Sequence, residues 1–234
     1  MTLAGERVAG RTHRLIASRH PTVGIFDDLT ADPEELQAAF LLEMATSQRH
    51  GAAAARLARL MPDQVVTGPS ASIVMAAFLY TDERGGRFHD RRLGAWYAAR
   101  SLDTAIAETL FHNERRLRLS EGGFPNRIQM RELITDLDLE LVDIRPLVAT
   151  RPELYDPDPD RYAAPQAFAA GLRWPGEGGP HCHGLLYASV RHAGGENVCL
   201  FWPASVPRPV LQGVHLEYAW DRDGRSTVVK LTKV

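Results

Sequence analysis

Arg87, Tyr97 and Glu108 lie within one stretch, Gly86 to His112, and their side chains carry the chemistry on which a functional reading of this chain rests. The guanidinium of Arg87 can grip a phosphate or carboxylate through two parallel hydrogen bonds, which lysine cannot reproduce. Its plain alternative is a surface arginine in a turn that also holds Arg84, Arg91 and Arg92. Tyr97 follows Trp96 in a short apolar segment, and strand alternation puts the two on opposite faces, so only one of them is core. Glu108 belongs to a segment that Ser101 opens as an N-cap, with Asp103 at the positive end of the dipole. Leu102, Ala105, Ile106, Thr109 and Leu110 cover one broad face of that helix, extended by Ala107 and Phe111. The remaining polar stripe is Thr104, Glu108 and His112, each four residues apart. Such a stripe either faces solvent or lines a cleft, and Arg87, Tyr97 and Glu108 could meet at one edge of a sheet.

The elements that must position them follow from pattern. His13 to Ala17 reads as a short strand, with residues 1–12 a flexible leader. Asp32, Pro33 and Glu35 carry the signature of a capped helix running to about Gln48. Ala52 to Met61 reads as a helix stopped before Pro62. Ala71 to Tyr80 reads as an apolar helix with Ser70 as its N-cap. Arg127 to Val142 predicts one or two strands, and Ala163 to Arg173 a helix with Pro165 in its first turn. Two hairpins close the chain: Gly184 to Val190 with Asn197 to Trp202, and Val214 to Trp220 with Ser226 to Leu231. Helices and strands alternate without a regular β-α-β rhythm, so the expected class is α+β, a single domain with mixed or antiparallel sheets flanked by helices. Residues 13–234 form that domain, with a helical part at 13–80 and a β-rich core at 81–234.

Composition narrows the function. The chain has 234 residues, 44% hydrophobic and 24% charged, with a formal net charge of -2. That balance gives no electrostatic footprint for nucleic acid or an anionic membrane. Two cysteines and the lack of an apolar leader or spanning segment predict a cytoplasmic protein without disulfides. His181, Cys182 and His183 are consecutive, and no second cluster stands at zinc spacing, so no metal is expected. No Walker, GxGxxG, GxSxG or HExxH pattern is present.

Taken together, Gly86-Arg-Phe, Trp96-Tyr-Ala-Ala-Arg-Ser101, Thr104-Ala-Ile-Ala-Glu108 and Tyr187-Ala-Ser-Val-Arg-His-Ala-Gly-Gly195 resemble the RES domain family. Flanking pieces agree: His13-Arg-Leu-Ile-Ala-Ser18, Tyr162-Ala-Ala-Pro-Gln166 and Gly213-Val-His-Leu-Glu-Tyr218. The turn His89-Asp90-Arg91-Arg92 and Pro165 depart from the family pattern. The resemblance implies a fold similar to ADP-ribosyltransferase toxins and a toxin of a bacterial toxin–antitoxin pair that consumes NAD+. NAD+ would be substrate, with no bound cofactor. It implies Glu108, Tyr97 and Ser189 as catalytic residues. Arg87, Arg14, Tyr97 and Ser189 would bind NAD+: the arginines on the pyrophosphate, Tyr97 on nicotinamide, Ser189 on ribose or the carboxamide. Glu108 would bond the ribose and stabilise an oxocarbenium-like centre. The acceptor of ADP-ribose stays open between a host protein, phosphate and water. The implied partner is an antitoxin with an Xre-like DNA-binding part. A non-catalytic nucleotide-binding module and a nucleic-acid-directed toxin are the rival readings.

Overall fold

The computed structural model describes residues 3–19, 51–176 and 181–232. In chain order its elements are β1 (Gly5–Ala17), α1 (Gly51–Leu57), α2 (Ala71–Leu79), β2 (Trp96–Ala99), α3 (Leu102–Arg118) and β3 (Asn126–Asp143). They continue with α4 (Ala163–Arg173), β4 (Gly184–Ala188), β5 (Glu196–Leu200), β6 (Leu211–Trp220) and β7 (Ser226–Leu231). The class is α+β, as the irregular succession of elements predicts.

The strands form one seven-stranded sheet ordered β1-β2-β5-β4-β3-β6-β7. β1 also pairs antiparallel with β3, from Gly5↔Val142 to Ala17↔Met130. That second pairing closes β1, β2, β5, β4 and β3 into a circuit, with β6 and β7 as a flap on β3. β3 and β4 run parallel where Val142 meets Leu185, and the other neighbours are antiparallel. The main core, including Trp96, Phe78, Leu133, Leu137 and Val198, fills this circuit and the space under α1 and α2. A second cluster, with Leu15, Ala99, Ala105, Leu117 and Tyr218, seats α3 on the opposite side of β1.

Several sequence expectations hold. Ser101 caps α3, its Oγ accepting from the Thr104 N–H at 3.2 Å. Arg127 to Val142 is a single strand, and both C-terminal hairpins are present.

Other elements differ from expectation, each for a physical reason. Residues 5–12 belong to β1, not to a leader. Only Val8 is buried and apolar there, because the strand is held by its ladder with β3 and polar pairs line that ladder. Arg7 forks onto Asp138 through Nε at 2.7 Å and Nη2 at 2.8 Å. Thr12 Oγ1 lies 2.7 Å from Thr135 Oγ1 in a buried contact. Helix α1 ends at Leu57, short of Met61. Its last turn tightens to three-residue spacing, with Leu60 N–H bonding Leu57 O at 3.0 Å, as Leu60 turns into the core. Ser70 does not cap α2: it sits at φ 68° and its Oγ instead accepts from the Val210 N–H at 3.1 Å. The helix expected from Asp32 to Gln48 lies outside the described residues.

The segment that feeds β2 is held tightly. Gly94 N–H donates to Phe78 O at 2.8 Å, and a Cβ at Gly94 would stand 2.2 Å from Ala77 O, so α2 and this segment touch backbone to backbone. Phe78 itself has no exposed surface. Phe78→Ala should therefore lower the unfolding free energy by about 3–5 kcal/mol. Urea denaturation checks this as a lower midpoint at unchanged slope.

Candidate active site

A cavity of ≈ 710 Å³ opens between the turn before β2, the face of α3 from Ala105 to Arg116, β1 and the loop around Pro159. Its walls include Arg14, Arg87, Tyr97 and Glu108, so the structure brings together four of the five residues singled out from sequence. Ser189, the fifth, stands directly behind Glu108.

Arg87 lies on the turn closed by Gly86 N–H donating to His89 O at 2.9 Å. Gln166 Nε2 fixes that turn from α4, donating to Arg84 O at 2.8 Å and Gly86 O at 2.9 Å. Phe88 is buried edge-on against Tyr187, ring centroids 4.8 Å apart, which leaves Arg87 directed to the other side. There its Nη1 donates to Leu154 O at 3.1 Å and Asp156 O at 2.9 Å, and the guanidinium stacks 4.6 Å above the Tyr162 ring. Arg87 is buried, and no carboxylate pairs with it among the described residues. It is not the loose surface arginine of the plain reading.

Arg14 has the same character. Its Nη1 donates to Tyr97 O at 3.0 Å and its guanidinium lies 4.8 Å from the Trp96 ring centroid. Burial pushes its pKa down to about 10, partly opposed by Tyr97 and Cys199, so it remains a cation at neutral pH. Two buried cations in the lining of one cavity, neither paired with a carboxylate among the described residues, are a setting for an anionic ligand.

Trp96 is core and Tyr97 faces the cavity, so alternation resolves in favour of Tyr97. Its hydroxyl accepts the Phe88 N–H at 2.9 Å and lies 2.9 Å from His89 Nδ1. His89 Nε2 is 2.6 Å from Thr81 Oγ1. Burial, reinforced by Arg173, lowers the His89 pKa to about 3, so its ring is neutral. The neutral ring therefore donates through one nitrogen and accepts through the other, between Tyr97 and Thr81. Burial also raises the Tyr97 hydroxyl well above its usual range. With its hydroxyl occupied, Tyr97 offers the cavity its ring. Gly86 makes the arrangement possible, since a Cβ there would stand 2.5 Å from His89 Cε1 and 3.1 Å from Tyr97 Oη.

The polar stripe of α3 does not face bulk water along its length. Thr104 is buried, with Oγ1 2.8 Å from His192 Nδ1. Glu108 Oε1 accepts from Ser189 Oγ at 2.7 Å and from Asn197 Nδ2 at 2.9 Å. Oε2 has no protein partner among the described residues, and Glu108 lines the cavity. His112 is exposed at the mouth. Ser189 Oγ in turn accepts the Arg191 and His192 N–H groups at 3.1 and 3.0 Å, so the serine both shapes its turn and holds the glutamate.

Asn197, buried on β5, and Tyr162 were not singled out from sequence. Asn197 carries no local signal. Tyr162 stood in a flanking motif, but its service as a platform for Arg87 needs the fold. His181, Cys182 and His183 lie outside the cavity walls: His183 Nδ1 is 2.9 Å from Ser205 Oγ, and His181 stacks on Trp202. Among the described residues no group of three or more His, Cys, Asp or Glu is arranged to hold a metal ion.

His89 gives a pH test. Folding holds it neutral down to about 3, whereas an unfolded chain protonates it near the ordinary 6.5. The unfolded state thus binds the extra proton in this window, so the stabilisation is complete above 6.5 and is lost as pH falls towards 3. Below neutrality, the unfolding free energy of wild type should fall more steeply than that of His89→Asn, by up to about 1.4 kcal/mol per pH unit. Urea titrations of both proteins at several pH values check the difference in slope.

The RES domain family model matches residues 56–221 of this chain. No curated protein sequence matches it. Among solved structures, the M. tuberculosis MbcT–MbcA toxin–antitoxin complex is similar at a TM-score of 0.40 and 12% identity, over 89% of this chain and 86% of that one. With the family model covering most of the sequence, this chain belongs to the RES domain family.

Proposed function

We propose that this protein is the toxin of a toxin–antitoxin pair and that it cleaves the nicotinamide–ribose bond of NAD+. The observation that carries the reading is Glu108, with one carboxylate oxygen fixed by Ser189 and Asn197 and the other free, in the wall of a cavity that also holds Arg14 and Arg87. A cavity of ≈ 710 Å³ suits a dinucleotide held mostly inside its cleft.

Arg14 and Arg87 take the pyrophosphate, whose negative charge is the counter-charge both guanidiniums lack, and so fix the reacting end. The Tyr97 ring stacks on nicotinamide. Glu108 Oε2 accepts a ribose hydroxyl and lies ready to stabilise the positive charge that grows at the anomeric carbon. Nicotinamide leaves with the bonding pair, which neutralises its ring nitrogen, so departure needs no proton. Ser189, assigned from the family to ribose or the carboxamide, acts in this reading by holding Glu108. The ADP-ribosyl group passes to a protein side chain, phosphate or water, and an antitoxin with an Xre-like DNA-binding part restrains the enzyme. A cytoplasmic setting, where NAD+ is available, belongs to the same reading.

Two variants test it. Purified wild type incubated with NAD+ should release free nicotinamide, and Glu108→Gln should lower kcat by roughly 10²-fold or more while still binding NAD+. Arg87→Lys, which keeps charge but not the planar fork, should weaken NAD+ binding by about tenfold, as measured by calorimetry. Binding without release by wild type under any acceptor would turn the reading to a nucleotide-binding module. An undiminished rate in Glu108→Gln would remove Glu108 from its role.

A further inference from the structure

The cavity has an acid–histidine pair that the reaction above leaves unused. His13, on β1, lines the cavity, and its Nδ1 lies 2.5 Å from Glu132 Oε1 on β3. Glu132 is 3% exposed, and its other oxygen accepts the Val214 N–H at 2.9 Å. A buried carboxylate costs several kcal/mol unless paired, and chains that need only stability do better with apolar residues.

The backbone is shaped around this pair. The β3–β6 ladder slips between Arg131 and Leu133, so an irregularity falls at Glu132 itself, a device that re-aims a side chain. Opposite it, a Cβ on Gly213 would stand 2.1 Å from Glu132 Oε2, so glycine makes the room the carboxylate occupies. A carboxylate can only accept at Nδ1, which places the neutral ring's proton there and the lone pair on Nε2. Among the described residues Nε2 has no hydrogen-bond partner. Carboxylate, imidazole and an open nitrogen at a cavity wall form the base half of a catalytic triad.

We propose that His13, oriented by Glu132, is the general base that deprotonates the acceptor of the ADP-ribosyl group, and that this acceptor is water or a hydroxyl. The inference rests on the NAD+-cleaving reading. Nε2 takes the proton of the attacking O–H, the new bond forms between that oxygen and the anomeric carbon, and the carbon–nitrogen bond breaks with its pair going to nicotinamide. The products are nicotinamide, the O-linked ADP-ribosyl compound and an imidazolium facing Glu132. Glu108 handles the charge on the ribose from α3, and His13 handles the nucleophile from β1.

The test uses His13→Gln and the smaller His13→Asn in the full chain, with azide as an anionic acceptor that carries no proton to remove. With water as acceptor, kcat for nicotinamide release should fall roughly 10²- to 10⁴-fold with little change in KM. Azide should restore release in the His13 variants, giving ADP-ribosyl azide, and should not restore it in Glu108→Gln. A wild-type rate in a folded His13 variant, or a loss that azide leaves untouched, overturns the proposal. Failure of both variants to fold makes the pair a structural clamp and overturns it equally. Absence of nicotinamide release by wild type counts instead against the reading of NAD+ cleavage. Chromatography of the wild-type products separates water from a hydroxyl acceptor, as free ADP-ribose or as ADP-ribosylated protein in a lysate.

Discussion

β1 is paired along its whole length with β3 and joined at one point to β2, and the geometry of the site depends on it. Along one edge it makes a ladder with β3 from Gly5 to Ala17; on the other, His13 meets Ala99 of β2. This closes five strands into a circuit and fixes where the end of β2 must lie. The chain leaves β2 at Ala99 and enters α3 at Leu102, with Ser101 as the cap between them. Placement of Glu108, two turns into a capped helix, then follows from the register of β1. The same strand carries His13 and Arg14 to the cavity. An unpaired edge here would leave a row of backbone donors and acceptors exposed and the mouth of the cavity undefined.

Arginine is the second common thread. Arg56 donates to Arg91 O and Leu79 O, at 2.9 and 2.8 Å, from a nearly buried position. Arg173 donates to Leu93 O at 2.9 Å and also reaches Phe201 O. A guanidinium has five donors in one plane and is weakly hydrated, so it can be buried on carbonyls and aromatic faces where an ammonium would not be stable. Arg14 and Arg87 use that same mode of attachment on the cavity wall. The protein thereby keeps two charges rigid without spending a carboxylate on either. Rigid positive charge without an acidic partner is the preorganisation that phosphate recognition requires.

The distribution of what was legible in the sequence follows from the range of the interactions. The α3 cap, its apolar face and its polar stripe depend on spacings of three and four residues, so they can be read directly. The orientation of that stripe cannot, because the groups that bind Glu108 are 81 and 89 residues downstream. Ser189 was reachable only through the family resemblance, and Asn197 had no signal at all. Arg87 looked like one of four arginines in a turn, and only the carbonyls of the Pro152–Tyr155 segment and its neighbour Asp156 distinguish it. Residues 5–12 failed as a strand because their alternation is carried by glycine, threonine and paired charges, which hydrophobic pattern does not detect.

The link between α3 and the β4–β5 hairpin makes Ser189 more than a hydrogen-bond donor. Its hydroxyl oxygen accepts two successive backbone N–H groups of the hairpin loop while its proton goes to Glu108. His192, held in that loop by Gly195 N–H donating to its carbonyl at 2.9 Å, reaches Thr104 one turn before Glu108. Gly195 allows this approach, since a Cβ there would stand 2.6 Å from Thr104 Oγ1. Loop and helix are therefore tied at two points four residues apart on one helical face. On its other side the helix is held by Thr109 Oγ1, 2.9 Å from Tyr218 Oη, and by the packing of Ala105 and Leu117, and a rotation of one residue would swing a side chain by about 100°. The two ties and this packing together fix the rotation. The direction of the Glu108 carboxylate is thus set by the hairpin as much as by its own helix, and the free oxygen points where the loop and helix together allow.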